Sequence, residues 1–398
     1  MRRFSKNINN GVSGVKATQV VLAGIGGYGE IYIREMLKDA NPDAKLAGIV
    51  DPYAGNSPFI GEIHQKGIPL FKTMDEFYAQ GRADLAVVSS PIHTHYSYIS
   101  SCLNKGTSVL CEKPAWVNLK ELDDLIEKEK QSGLFVAVGY QLCFSRDVLE
   151  LKKDIQAGLF GKPLSMKSIR LMRRGTNYYR RNNWAAKKEY QGALILDSPL
   201  SNACGHQMQN MLFLLSDNME TSAGVDSVQA ELWKARPDIE NYDAAAMRVK
   251  AAGGTDLLFY TAHCVPTPKT GPFSEFYFED AVIRSGTNPG DEFAAYFKNG
   301  KIKSYPTDTE GRKLRKLFDS IDAVRSGRRP VCTLETSKPH IECVNMVQRF
   351  PVTELPADRV SRAADESGDE YYFIPGLEEA FSSCYEKGVL PSEAGIEF

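Results

Sequence analysis

No stretch of this sequence approaches the roughly 18 uninterrupted apolar residues that a membrane-spanning helix requires, so no membrane partner is expected. The eight cysteines include no C-x-x-C pair, and none clusters with histidine at zinc-ligand spacing, so no metal site is expected. Scattered through apolar runs such as the one around Cys111, they read as reduced, buried thiols of a cytoplasmic protein. Net charge is nearly absent too. With 48 basic and 50 acidic residues the balance is −2, which gives no global attraction to nucleic acid. Residues 1–16 are basic but lack the apolar core of a secretory signal, and read as a loose tail. No internal repeat or low-complexity tract occurs. Composition is that of an ordinary globular protein, 42% apolar and 25% charged, and 398 residues suggest two domains.

From residue 18 short apolar runs alternate with helical patterns. Strands are expected over 18–24, 45–50, 67–71, 84–90, 107–112 and 134–140, with helices near 28–38, 73–80, 94–105 and 118–132 between them. Strands without polar alternation, separated by helices, mean a parallel sheet covered on both faces. The expectation is a doubly wound Rossmann domain over 17–145. A helix over 146–157 follows, and then longer, looser runs read as a large, mostly antiparallel sheet. Helices at about 199–215, 308–326, 335–349 and 376–387 are too few to cover it, and 354–375 reads as a charged surface loop. The fold class is therefore α/β: an N-terminal Rossmann sheet, then a C-terminal α+β domain over 146–398 whose sheet is open on one face. That open face argues for a homo-oligomer, a homodimer or a homotetramer.

Gly24-Ile25-Gly26-Gly27-Tyr28-Gly29 fits G-x-G-x-x-G, a weak signal by itself. Here it ends the first strand and opens the first helix, which is the context a dinucleotide site demands. Gly24 permits the tight turn, Gly26 lets the backbone approach a pyrophosphate, and Gly29 allows close helix–strand packing. Asp51, at the end of the second strand, suits the ribose hydroxyls of adenosine, and no Arg or Lys follows it in Asp51-Pro52-Tyr53-Ala54. NAD is thus favoured over NADP.

The fifth strand runs into Glu112-Lys113-Pro114. Rossmann sheets bind ligands beyond the carboxyl ends of their strands, so Lys113 should emerge beside the nicotinamide. Partly desolvated there, its pKa would move down towards neutrality, and it could take a hydroxyl proton as hydride leaves the carbon. Spacing alone equally admits a surface ion pair.

The segments LAGIGGYGE, VVSSPIHTHY, VLCEKPAWVN and VGYQLCFS, in this order, resemble the glucose–fructose oxidoreductase/inositol dehydrogenase/MocA (Gfo/Idh/MocA) family of dehydrogenases. The resemblance continues more weakly through FGKPLSMKSI, RNNWAA, LILDSP and FDSIDAVRSGRRPV. It implies an open-sheet second domain, a sugar, sugar acid or cyclitol as substrate, and Lys113 as the catalytic lysine. It also implies that Ser90 and Pro91 line the nicotinamide side, with His95 and Gln141 at family positions beside them. Gly27, Tyr28 and Glu112 complete the expected cofactor set.

One departure stands out. Many members carry Asp-x-x-x-His at the start of a helix in the second domain, but here Asp197 is followed four places on by Ser201, and the next histidine is His206. Nine residues of helix put two side chains about 180° apart, so Asp197 and His206 cannot reproduce that motif. With Ser198-Pro199 read as the helix start, Asn202, His206 and Asn210 form one polar stripe. Asn202 and His206 are expected to face the substrate cleft with Asp197 at its mouth, beside Lys113 in the catalysis; a satisfied core histidine is the alternative. The stretch Arg173–Trp184 is basic and aromatic, suited to sugar rings and hydroxyls or a carboxylate, and Tyr179, Asn183 and Trp184 are its candidate substrate residues. The expected function is an NAD(H)-dependent oxidoreductase passing hydride between a carbinol carbon and nicotinamide. An NAD-dependent glycoside hydrolase and a non-catalytic dinucleotide sensor are the competing readings of the same scaffold.

Overall fold

The structure is a computed structural model that describes residues 16–38, 42–285, 293–307 and 313–398. Nearly all of the expected tail, and the first residues of the helix expected at 308–326, lie outside them.

Six strands form the first sheet: β1 (Thr18–Ala23), β2 (Ala44–Val50), β3 (Leu70–Phe71), β4 (Leu85–Val88), β5 (Ser108–Cys111) and β6 (Val136–Val138). Their order is β3-β2-β1-β4-β5-β6, all parallel. Every residue of β4 and β5 is buried, which is why neither shows polar alternation. Helices α1 (Glu30–Met36), α2 (Ile60–Gln65), α3 (Met74–Gln80), α4 (His95–Asn104) and α5 (Leu119–Ser132) make the connections. Thr73 caps α3 by accepting from Glu76 N, and Asn118 caps α5 by accepting from Lys120 N. The order reverses between β1 and β4, so the crevice beyond the strand ends opens there.

After α6 (Arg146–Gln156) the chain enters β7 (Pro163–Leu171), followed by the one-turn α7 (Thr176–Tyr179), a small β8–β9 hairpin (Glu189–Tyr190, Ala193–Leu194) and α8 (Gly205–Leu214). Then come β10 (Val225–Lys234), β11 (Ala244–Ala251), β12 (Asp256–Ala262), β13 (Thr270–Phe278), β14 (Ala281–Ser285), β15 (Phe293–Phe297) and β16 (Ile302–Tyr305). Helices α9 (Arg315–Ser326) and α10 (Leu334–Val347), strand β17 (Val352–Glu354), hairpin β18–β19 (Ser361–Ala364, Glu370–Phe373) and α11 (Leu377–Lys387) complete it. The nine-stranded second sheet runs β16-β15-β14-β13-β7-β12-β11-β10-β17. It is antiparallel except at β7–β12 and β10–β17.

The two faces separate by the period of two. Leu257 and Phe259 of β12 join the main core, whereas Leu258, Tyr260 and Ala262 join a second core beneath α11. In that second core Trp233 meets the rings of Phe381 and Phe398. The rest of the outer face is open and polar, with Ser165, Lys167, Arg248, Lys250 and Asp256 around a recess. The open face is therefore part covered.

Two sequence expectations need correction, and one contact between the halves has no sequence signal. Residues 354–375 are not one loop: β17 joins the sheet, and the hairpin turns where the Asp365 carboxylate accepts from Ser367 N and Asp369 N. The helix expected from 199 begins at Gly205, because Ser201 Oγ bonds the Leu196 carbonyl and Cys204 N reaches back to Pro199 O, an irregular turn. And part of the second half returns to the first sheet: α9 packs on β1, β4 and β5, and Thr333 bridges to Ala137.

Candidate active site

The glycine turn is dictated by contact distances. Gly24 has φ +87°, and a Cβ there would sit 2.8 Å from Ser90 N. A Cβ on Gly29 would lie 2.5 Å from Gly24 O and 2.7 Å from Ser89 Oγ. At Gly26 and Gly27 the same test meets nothing within 4 Å: the floor of the turn is open. Asp51 fastens β2 to this turn, its Oδ2 accepting from Ile25 N at 3.0 Å and its Oδ1 from Tyr53 N at 2.8 Å. Each oxygen keeps a second lone pair. An open backbone cradle beside a fixed carboxylate fits a dinucleotide.

At the end of β5 the chain delivers Glu112 and Lys113, and the Lys113–Pro114 peptide bond is cis. Glu112 turns inward, where it takes hydrogen bonds from Lys316 Nζ and Tyr32 OH. Lys316 enters on α9, and its amine also donates to Gly139 O at 3.2 Å and lies 4.7 Å from the centre of the Tyr28 ring. Burial alone would depress the Lys316 pKa, but attraction to Glu112 and Tyr28 raises it. Lys113 Nζ instead points across to the second half and donates to Asn202 O at 2.6 Å and Asn202 Oδ1 at 3.2 Å. Burial pushes Lys113 down to about 8, and the neighbouring Lys316 pushes the same way against the pull of Glu112, Cys204 and Asp197.

His95, expected at the cofactor, is spent on the backbone. It is buried, with Nε2 2.7 Å from Ser90 O and Nδ1 2.8 Å from Ala115 O, so it ties the Ser90-Pro91 loop to the segment after Pro114. Ser90 Oγ pairs with Thr94 Oγ1 at 2.7 Å, and Gln141 Oε1 accepts from Tyr28 OH at 3.3 Å.

From the second half, Asn202 Nδ2 donates to Asp197 Oδ1 at 2.8 Å, and Asp197 Oδ2 accepts from Ala186 N at 2.6 Å. Lys113, Asn202 and Asp197 thus form one hydrogen-bonded row, with Arg181 at 3.4 Å from Asp197 as its far end. Because α8 starts at Gly205, Asn202 precedes the helix and the expected Asn202–His206–Asn210 stripe does not exist as one helical face. His206 stands on the first turn of α8, its ring 6.0 Å from that of Tyr140, which bonds His340 Nδ1 at 2.7 Å. Tyr179 is buried, its OH 3.3 Å from His263 Nδ1; Trp184 lies 5.2 Å from the Arg181 guanidinium, and Asn183 is exposed.

Sequence reasoning gave Lys316 no place here. Nothing local marks it, since its partner is 204 positions away. Among the described residues no group of three or more His, Cys, Asp or Glu could hold a metal ion, and no helix is long and apolar enough to cross a membrane.

Fold and glycine turn together define a dinucleotide-binding, doubly wound sheet joined to a mixed sheet. A family model described as an oxidoreductase family with an NAD-binding Rossmann fold, Gfo/Idh/MocA, matches residues 18–140. That match covers the first sheet and its helices. Among curated relatives, the rhizopine catabolism protein MocA of Rhizobium meliloti is 25% identical over 140 residues, which is 35% of this chain and 43% of that protein. A myo-inositol 2-dehydrogenase of Thermotoga maritima is 30% identical over 93 residues, 23% of this chain and 28% of the relative. These matches span less than half of the relatives' length. Among solved structures, the WlbA dehydrogenase of Bordetella pertussis, in complex with NADH and UDP-GlcNAcA, superposes with TM-score 0.69 at 18% identity, over 84% of this chain and 96% of that one. The myo-inositol 2-dehydrogenase of Lactobacillus plantarum gives 0.65 at 15% identity, over 84% and 97%. At such identity the likeness concerns the fold, and it extends across both sheets.

Proposed function

We propose that the chain is an NAD(H)-dependent oxidoreductase acting on a carbinol carbon of a sugar, sugar acid or cyclitol, with Lys113 as the acid/base. One observation carries this reading: the Lys113 amine, pushed down to about 8, stands at the carboxyl end of a parallel strand and is held by Asn202 from the other half of the chain. Ligands of such sheets bind at that end. The name of the myo-inositol 2-dehydrogenase relative agrees with a polyol substrate.

Gly24, Gly26, Gly27 and Gly29 would receive the pyrophosphate and Asp51 the adenosine ribose, with Ser90, Pro91 and Gln141 towards the nicotinamide and Tyr28 at the rim. When bound, NAD supplies the two-electron acceptor that the side chains lack. Neutral Lys113 takes the proton from the substrate hydroxyl, and its ammonium form returns one in the reverse direction. Asn202 fixes the amine, and Asp197 fixes Asn202; Glu112 and His95 position rather than touch. His206, Tyr179, Asn183 and Trp184 would face the substrate. The eight free, buried thiols suit the cytoplasm, and the open part of the outer sheet face suits a homodimer or homotetramer; the functional division falls near residue 145.

Nucleotide titration and a polyol panel followed by NADH absorbance test this. Lys113→Ala should lower kcat by about 100- to 10,000-fold with cofactor affinity kept. Failure to bind NAD at millimolar concentration, or undiminished turnover in Lys113→Ala, refutes it.

A further inference from the structure

We propose that the cleft beside Lys113 takes a polyol substrate bearing an oxyanion, a carboxylate or a phosphate, and that Arg174 binds it. This rests on the oxidoreductase reading above and narrows its substrate.

The sheet sets the geometry. Strands β7 and β12 are parallel neighbours that end together at Leu171 and Ala262, so Arg174 and His263 leave the sheet on the same side, and Arg174 N donates to His263 O at 3.0 Å. Three other arginines of this region are committed, and Arg180 is exposed. Arg173 bonds Pro266 O at 2.9 Å, Arg236 pairs with Asp238 at 2.9 Å, and Arg181 bonds Tyr178 O at 2.7 Å besides approaching Asp197. Arg174 is different. Among the described residues its guanidinium has no oxygen acceptor: it meets Met172 Sδ at 3.9 Å and the Tyr178 ring at 4.4 Å, and its Nε is buried without a hydrogen bond. Beside it His263 is only 3% exposed, and its Nε2 also lacks a partner while Nδ1 meets Tyr179 OH. Burial, with Arg174 and Arg181 nearby, holds that ring far below the usual histidine range, hence neutral.

Both nitrogens are buried without a partner, and the Arg174 Nε–H is satisfied only by an acceptor, which a ligand can bring. The charge balance says which ligand. Tyr178 is flanked by Arg174 and, at 3.8 Å, by Arg181; Cys204 feels Arg170, Arg174 and Lys113 alike. Within the row Asp197 stands against Lys113, Arg181 and Arg174, and the nearby Asp243 carboxylate is taken up by Ala235 N and Arg236 N. A guanidinium fork with free donors matches a carboxylate or phosphate. The contact series Lys113–Asn202–Asp197–Arg181–Tyr178–Arg174 connects this arginine to the reacting amine, and Cys204 feels the charge of both.

The test is calorimetric binding of D-glucose, D-gluconate, D-glucuronate and D-glucose 6-phosphate to the full chain loaded with NADH, for wild type, Arg174→Gln and Arg174→Lys. At least one acid should bind about 10- to 100-fold more tightly than glucose, a charge-assisted contact's worth. Arg174→Gln should bring that ratio towards one, and Arg174→Lys should keep part of it. NADH affinity serves as the check that each variant is folded. If no acid outbinds glucose, or if Arg174→Gln keeps the preference, the proposal is overturned. Carboxylate and phosphate arms tell the two anions apart. Turnover is read separately: NAD bound but no polyol oxidised sinks the oxidoreductase reading, while the binding ratios still decide the anion site.

Discussion

Glu112 and Lys316 should tune the pH at which Lys113 works, and in opposite senses. Oxidation of a carbinol needs the amine neutral, so kcat/KM should climb through the Lys113 pKa of about 8 and level off above it. Lys316 repels the Lys113 ammonium and Glu112 attracts it. As a scale, two unit charges about 8 Å apart in an effective dielectric of about 20 interact by about 2 kcal/mol, or about 1.5 pKa units. Lys316→Met removes the repulsion and frees the charge of Glu112, so the profile should move up by about one unit. Glu112→Gln removes the attraction and leaves Lys316 acting alone, so it should move down by a similar amount. The double variant, which deletes both charges, should return near the wild-type position. Each single variant strands a buried charge, which costs about 3–5 kcal/mol, so melting temperatures must first show a folded protein. The assay is kcat/KM against pH at saturating NAD. Profiles that coincide for all four proteins, or single shifts of the same sign, would refute the electrostatic argument even if every variant is slower.

The glycine turn gives a sharper separation of binding from folding. Gly26 lies in extended backbone (φ −92°, ψ 163°) over open space, so Gly26→Val should keep the melting temperature and abolish NAD binding, whereas Gly29→Ala should destabilise by about 1–3 kcal/mol through its contact with Gly24 O. Equilibrium titration should show NAD bound more tightly than NADP, and Asp51→Asn should narrow the gap; the reverse order would remove Asp51 from the ribose site. His206→Ala should lower turnover more than stability, and a large drop in melting temperature with normal kinetics would make His206 a core residue.

The parallel sheet was legible because its strands are buried on both faces and its breaks are helices with caps. The second sheet was legible only in part, for a physical reason. Ser361–Ala364 alternates half-buried and exposed positions, and Val352–Glu354 sits on an edge, so both carry charges where a buried strand cannot and read as loop. The start of α8 was misread from Ser198-Pro199, a pair with helix-start chemistry. Ser201 settled it otherwise by turning its hydroxyl back on Leu196 O, while from just before β11 Asn241 Nδ2 donates to Asp197 O and Tyr242 OH accepts from Ser198 Oγ, contacts that no local propensity records.

The site divides along the same line. The glycine turn and Glu112-Lys113-Pro114 are contiguous motifs, and each needs only its own strand to be placed. What the pattern could not give is how Glu112 survives burial. A carboxylate taken out of water must find donors or be neutralised, and within its own domain Tyr32 OH and Lys113 N donate to it without supplying a neutralising charge. The missing cation comes from α9, brought back onto the first sheet by the second half of the chain. The consequence is testable in the folding itself. If Glu112 depends on Lys316 for neutralisation, a protein truncated before α9 should fold its first sheet better with Gln at 112 than with Glu, by thermal melting at neutral pH. Equal stability of the two truncated forms would mean that Glu112 finds its counter-charge elsewhere.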